Sequence, residues 1–480
     1  MDEQLLNTDV AVLGGGLAGH CAALAAAEQG ASVLLLEKCA EPGGSSATSA
    51  GSFALAGTDL QAAAGVEDSP QKLAEELMRV SGGHAEPALV QMYVERQADT
   101  YEWLKRHGVV FHKITLSSST SVPRTHPTNS RQLISALHER VMNQPLIRYL
   151  PNTRATRLKV DGDGRVRGVH LQSGERRWET TVRGGVVIAT GGFSRSRDLI
   201  RKFAPELSSA PAWGGAGNEG DGLTMAWALG ADVADMGFVT GTFGVAINHY
   251  PDTEARAGDE LLLRMAMYRG GIAVNLDAQR FADESLSYKK LATACLYQPR
   301  GIAFQIFDQA IMDQSVANPS VNDFKGAFDK GVIKKADSWD DLAREIGIDG
   351  PALQETVRRY NGFVSTGKDL EFARESLSGG FGRPVALQTA PFYALPCSAA
   401  VLSTYAGLRV STAMQVRNVF GDTIEGLYAA GEVVGGFHGA GYMSGSSLGK
   451  AAIFGRVAGA QAAERAATKS ALEQRQSGSP

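Results

Sequence analysis

Cysteine is scarce. Cys21, Cys39, Cys295 and Cys397 are the four in 480 residues, and none stands in a C-x-x-C or C-x-x-C-H pattern. That spacing argues against a disulfide scaffold, a zinc site, an iron–sulfur cluster or attached haem, and reduced thiols in a cytoplasmic protein are expected. An excess of charge of either sign is also missing. The 47 lysines and arginines nearly balance 51 acids, for a formal net charge of −4, so no global field recruits nucleic acid. Long apolar runs are absent, which excludes a membrane-spanning helix. The opening MDEQLLNTDVAVL is acidic and runs straight into an apolar segment, unlike a secretory or twin-arginine leader.

Glycine, by contrast, is abundant at 56 residues, and it clusters in turns instead of repeating. The stretch Thr8 to Lys38 combines an apolar run, a glycine turn, a helical pattern and a second apolar run, the order of a βαβ unit. Gly14, Gly16 and Gly19 fit G-x-G-x-x-G: a tight turn, a close backbone approach to a pyrophosphate, and a close helix–strand contact. A phosphate would sit at the helix N-terminus. Glu37 ends the second run, where a carboxylate accepts the hydroxyls of an adenosine ribose. The following EPGGSSATSAGSF, with Gly44, Ser45 and Ser46, offers many donors and little bulk, which suits a flavin and its pyrophosphate.

Further cofactor-type turns recur. RYLPNTRATRLKVDGDGRVRGVHLQ reads as strand, Asp-Gly turn and strand, with the backbone near Ala155 placed beside an adenine; Thr190 and Gly191 end a buried-type strand; Asn218 and Asp221 precede a helix. After Asp235 glycine turns thin out, and amphipathic helices such as SWDDLAREIG alternate with strands such as IAFQIFD. The turn grammar returns at Gly426, with Glu432 in a glycine turn before an alanine-rich helix. The expected fold is α/β. A Rossmann-like domain, residues 1–236 and 405–480, is expected to be interrupted by a second, α+β domain, residues 237–404; the family these motifs resemble implies a GR2-type FAD-binding domain and a capping domain.

With these motifs in order, the chain resembles the fumarate reductase/succinate dehydrogenase flavoprotein superfamily over nearly its whole length. The resemblance implies FAD held by Gly14, Gly16, Gly19, Glu37, Lys38, Gly44, Ser45, Ser46, Ala155, Thr190, Gly191, Asn218, Asp221, Glu432, Ser447 and Leu448. It departs where a fumarate reductase carries catalytic charge: Thr242, Arg264, Tyr288, Ser403 and Tyr442 stand at the positions of its histidines, relay glutamate and arginines. Dicarboxylate reduction is thereby disfavoured. Arg280, Phe281, Asp283, Glu284, Ser285 and Tyr288, together with Gly441 to Gly449, are similar to the motifs of the 3-ketosteroid dehydrogenases, the Δ4-type above all. In that family the first tyrosine is the base and the second holds the ketone oxygen.

The expected reaction is desaturation of a cyclic ketone, a 3-ketosteroid, a cyclohexanone or a 4-oxocyclohexanecarboxylate. Tyr442 would donate to the carbonyl as enolate charge builds, and Tyr288 would take the α-proton if cations or donors lower its pKa. Each site residue also has a plainer reading. Tyr288, Tyr442 and Tyr405 suit packing, Ser444 and Ser446 suit loop hydroxyls or caps, and His126 and His438 suit structural histidines. Arg264 suits either a solvated cation or the anchor of a substrate carboxylate. The electron acceptor is left open among oxygen, a quinone and a carrier protein. The alternatives are a fumarate-reductase-like enoate or enone reductase and a tricarballylate-type acid dehydrogenase.

Overall fold

Val10–Leu13, Val33–Leu36 and Val186–Ile188 are almost wholly buried, as continuous β-branched and leucine runs are when both faces of a parallel sheet are covered. The computed structural model describes residues 7–477 other than 118, 209, 240, 254–259, 261, 318–320 and 378–381. It comprises two compact units, Met1–Ala204 with Gly214–Val239 and Ser403–Pro480, and Pro205–Trp213 with Thr240–Leu402.

In the first unit β1 (Asn7–Leu13), α1 (Leu17–Glu28) and β2 (Val33–Leu36) form the βαβ unit, with Val10 opposite Val33 and Leu13 opposite Leu36. The central parallel strands run in the order Thr423–Ala429, Arg176–Ile188, β1, β2, Ile147–Leu150. Helix α1 is apolar on nearly all sides and buried from Leu17 to Ala27. Its neighbour is the C-terminal helix Ser446–Ser477, which approaches on glycines: a Cβ on Gly455 would stand 2.4 Å from the Ala18 carbonyl oxygen, and one on Gly459 2.0 Å from that of Ala22. The alanine- and glycine-rich composition of both helices follows from this separation.

Arg176–Ile188 is longer than the apolar GGVVI segment suggests. Its first half alternates exposed and buried residues because it pairs antiparallel with Val166–Ser173, while its second half enters the parallel sheet. Arg154–Val160 and Val166–Ser173 form the expected ribbon.

The second unit is built on an antiparallel sheet in the order Thr242–Ala246, Phe392–Ala400, Ile302–Asp308, Ile272–Val274, with Lys334–Ala336 also on Phe392–Ala400. The amphipathic helices Trp339–Ile346 and Gly350–Thr366 start at Ser338 and Asp349 caps and stop at Gly347 and Gly367, both with positive φ. Here the division differs from the expected uninterrupted first segment. Pro205–Trp213 joins the second unit because Pro211 O accepts from Val401 N at 2.8 Å and Val401 O from Trp213 N at 2.9 Å.

Candidate functional site

The three glycines of the first turn do different work. Gly14, at φ 110°, has no room for a side chain, since a Cβ would meet Ala189 O at 2.3 Å; at Gly19 it would meet Gly14 O at 1.8 Å. Gly16 is open, with nothing nearer than 3.9 Å. No side chain caps α1 at Gly16, and the Ser46 hydroxyl accepts from Leu17 N at 3.3 Å. A helix N-terminus that begins at an open glycine is what a pyrophosphate requires. Gly44 is equally open, and the buried Thr190 hydroxyl has no hydrogen-bond partner among the described residues. The residues present therefore fit a dinucleotide cofactor.

At the nucleoside end Glu37 is buried; its Oε2 accepts from Gly15 N and its Oε1 from Cys39 N, both at 2.8 Å. Lys38 Nζ reaches Glu219 at 2.7 Å and Asp221 at 2.8 Å, and Arg154 also bonds Asp221 at 2.5 Å. A cavity of about 640 Å³ opens along Lys38, Arg154, Ala155, Asp221 and Thr224.

Elsewhere in the first unit, hydrogen bonds link five chain segments. Ser45 Oγ accepts from Gly215 N at 3.0 Å and from Asn218 Nδ2 at 3.1 Å; Asn218 Nδ2 also donates to Glu432 Oε2 at 3.1 Å; Glu432 Oε1 accepts from Thr404 N at 2.8 Å; and Thr404 Oγ1 accepts from Phe193 N at 3.1 Å. Burial raises the Glu432 carboxyl above its ordinary pKa against these donors. A Cβ on Gly191 would fall 2.1 Å from Asn218 Oδ1, so the glycine makes room for the amide.

The aromatic part of the site lies in the same unit. Tyr405 and Tyr442 stack face to face, centroids 5.0 Å apart and 7° from parallel, and the His438 ring lies 4.5 Å from Tyr405 and 5.5 Å from Tyr442. Ser446 Oγ donates to Met443 O at 2.7 Å, so His438 Nε2, 3.0 Å away, donates to Ser446. The Tyr442 oxygen accepts from Gly445 N at 3.2 Å. Burial raises the phenol pKa of Tyr442, opposed by Ser447 and the Gly445 N–H, and raises that of Tyr405 well above its usual value. Both phenols therefore keep their protons at neutral pH. Ser444, in the same loop, and Ser447, in the first turn of the helix that follows, are half-buried.

Two sequence candidates belong to the second unit. Tyr288 opens the helix Tyr288–Leu296, capped by Ser287, and packs against the core of that unit. The turn before it is held by a buried ionic network: Arg280 bonds Glu284 at 2.9 and 2.7 Å and Asp369 at 2.8 Å, while Arg374 reaches Glu284 at 3.3 Å. Arg264 is buried instead of solvated. Its Nε donates to Asp323 O at 2.7 Å and its NH2 group meets Asp323 Oδ2 at 3.3 Å, because Asp323 arrives from a distant segment to neutralise it.

Sequence reasoning missed Thr404, which hides in the STYAG segment, and Lys289, whose Nζ donates to Thr242 Oγ1 at 2.9 Å with both residues buried. It also missed Lys450; a lysine near the start of an alanine-rich helix is the signal that was there to find.

Residues 9–448 match the family model described as FAD binding domain. The fumarate reductase (cytochrome) of Shewanella frigidimarina is 32% identical over 463 residues, covering 95% of this chain and 77% of that protein. The urocanate reductase of Eggerthella lenta is 30% identical over 473 residues, covering 95% and 75%. Among solved structures, 3-ketosteroid-Δ4-(5α)-dehydrogenase from Rhodococcus jostii RHA1 in complex with 4-androstene-3,17-dione aligns with a TM-score of 0.73 and 28% identity, covering 95% of this chain and 97% of that one.

Proposed function

Given that the chain belongs to the FAD binding domain family and is an FAD-dependent oxidoreductase acting on carbon–carbon bonds, we propose that it desaturates a cyclic ketone next to its carbonyl. The observation that carries this reading is the Tyr405–Tyr442 stack: two phenols held protonated by burial, with tyrosine at 442 where the dicarboxylate reductase motif has an arginine. FAD, when bound, supplies the acceptor for the hydride leaving Cβ. Tyr442 donates a hydrogen bond to the ketone oxygen, and its raised pKa keeps that donor protonated as the enolate forms. Burial makes Tyr442 and Tyr405 poor bases at neutral pH, and the base role is assigned to Tyr288 on its resemblance to the first tyrosine of the 3-ketosteroid dehydrogenase motif. Stacking of Tyr405 on Tyr442 holds the donor in place, and Ser447 supports its hydroxyl; Ser444 completes the loop. The Asp323 pairing of Arg264 favours a neutral ring over one bearing a carboxylate.

A second reading runs the same residues in reverse, as an enone or enoate reductase in which Tyr288 delivers the proton; the reductases among the relatives favour it. The tricarballylate-type alternative needs cations the phenol stack does not supply. Among the described residues no helix is long and apolar enough to cross a membrane. The four free thiols support a cytoplasmic setting, with oxygen, a quinone or a carrier protein as electron acceptor. Anaerobic mixing of the yellow holoenzyme with a saturated cyclic ketone is expected to bleach it. Bleaching by succinate or tricarballylate alone refutes the proposal, and reoxidation of reduced enzyme by an enone without any forward bleaching selects the second reading.

A further inference from the structure

Lys450 is a buried cation that the proposed chemistry does not use. Its side chain lies inside the first unit, in the second turn of the C-terminal helix that begins at Ser446. A positive charge there is opposed by the helix dipole and by desolvation, so its presence needs a counterweight. Nζ donates to Val434 O at 2.8 Å and lies 6.0 Å from the Phe437 ring centroid. The acids that face it are Glu432, in the Gly431–Val433 turn, and Asp235, which precedes Met236–Phe238. Neither comes within ion-pair distance, and each is committed elsewhere. Glu432 binds Thr404 N and Asn218, and Asp235 Oδ2 accepts from Gly436 N at 2.8 Å and Gly439 N at 3.2 Å. The ammonium is thus surrounded by partial compensation and has no dedicated partner carboxylate among the described residues.

Lys450 follows Ser447 and Leu448, and its field reaches Glu432, three residues for which FAD contact is expected. We propose that Lys450 is a tuning residue of the flavin site, a buried cation that favours the reduced cofactor, with Asp235 as its moderator. A hydride added to the neutral oxidised ring carries in two electrons with one proton, and the product bears one negative charge more. A fixed cation in a medium of low dielectric stabilises that charge without touching the reacting atoms. One unit charge about 10 Å from another, at an effective dielectric constant near 20, shifts an equilibrium by roughly tenfold. Burial lowers the Lys450 pKa to about 8, against the raising effect of Glu432 and Asp235, so the cation is present at neutral pH and is lost in mild alkali. The inference depends on FAD and not on the ketone assignment, because the measurement needs no substrate.

The test is a spectroelectrochemical titration of the FAD holoenzyme at pH 7. Lys450→Met is expected to lower the equilibrium constant for reduction about tenfold, a midpoint about 30 mV more negative for a two-electron couple. Lys450→Arg restores most of it, and Asp235→Asn moves the midpoint the opposite way. An unchanged midpoint in Lys450→Met, or the same downward shift in both Lys450→Met and Asp235→Asn, overturns the proposal and leaves Lys450 as a brace for the Val434 loop. If Lys450→Met does not retain FAD, the wild-type protein decides. A bend in its midpoint-against-pH line near pH 8 supports the cation, and a straight line from pH 6.5 to pH 9.5 refutes it.

Discussion

Replacing Tyr442 by Phe isolates the hydroxyl on which the proposed chemistry turns. The ring is retained, so the stack on Tyr405, worth about 0.5–1.5 kcal/mol for such a pair, survives. What is lost structurally is the acceptor of the 3.2 Å bond from Gly445 N, a cost of about 1 kcal/mol at a half-buried site. That is too little to unfold the first unit. Loss of one donor to a developing oxyanion costs about 2.7–4 kcal/mol, or 10²–10³ in rate. Stopped-flow bleaching with a saturated cyclic ketone under anaerobic conditions is therefore expected to slow at least 10²-fold, while FAD content and thermal stability stay near wild type. Tyr405→Phe keeps the stack and is expected to lose far less, since it acts through Tyr442. A Tyr442→Phe rate within threefold of wild type, with cofactor bound, would return Tyr442 to a packing role and remove the basis of the ketone assignment.

Gly19→Ala places a methyl 1.8 Å from a backbone oxygen, so the purified protein is expected to lack the flavin absorbance band or to be recovered insoluble. Glu284→Gln breaks a buried pair with Arg280 and weakens the hold on Arg374. A loss of about 3–5 kcal/mol is expected, read as an earlier calorimetric transition together with faster proteolysis within residues 240–402. His20 is buried, and burial lowers its pKa to about 4 while Nδ1 bonds Gly16 O at 2.9 Å. The unfolded chain binds the proton more readily, so this stability is present above pH 6.5 and is lost as pH falls through 4. The part lost between pH 7 and pH 5 is about 2 kcal/mol. His20→Gln should flatten that portion of a urea-midpoint profile; an identical acid slope in the variant would dismiss the His20 contribution.

The βαβ unit was legible because its signals are local: a buried apolar run, a turn that only glycine fits, and a helix whose composition answers a close neighbour. The two-part arrangement was legible for a related reason, since the glycine-turn grammar stops near Asp235 and resumes near Gly426. What sequence could not give is pairing between distant segments. Nothing near Arg264 announces Asp323, so the arginine reads as solvated although it is buried. Tyr405 and Tyr442 were each visible, but their coplanar stacking depends on the return of two separate loops. Pro205–Trp213 looked like part of the first unit because its hydrogen bonds to Val401 cross almost two hundred residues of chain. Lys450 was passed over because buried charge has no periodicity.

The seating of the C-terminal helix on α1 bears on how the protein is made. The strand Thr423–Ala429 that flanks Arg176–Ile188, and the helix whose Gly455 and Gly459 close over Ala18 and Ala22, are both made after the second unit that interrupts the first. Until then the nascent chain carries a finished nucleotide-binding turn beside an uncovered strand edge and an exposed apolar helix. The first unit is therefore completed only from both sides of residues 240–402, and a chain cut before residue 423 is expected to leave the edge of Arg176–Ile188 and the apolar surface of α1 uncovered.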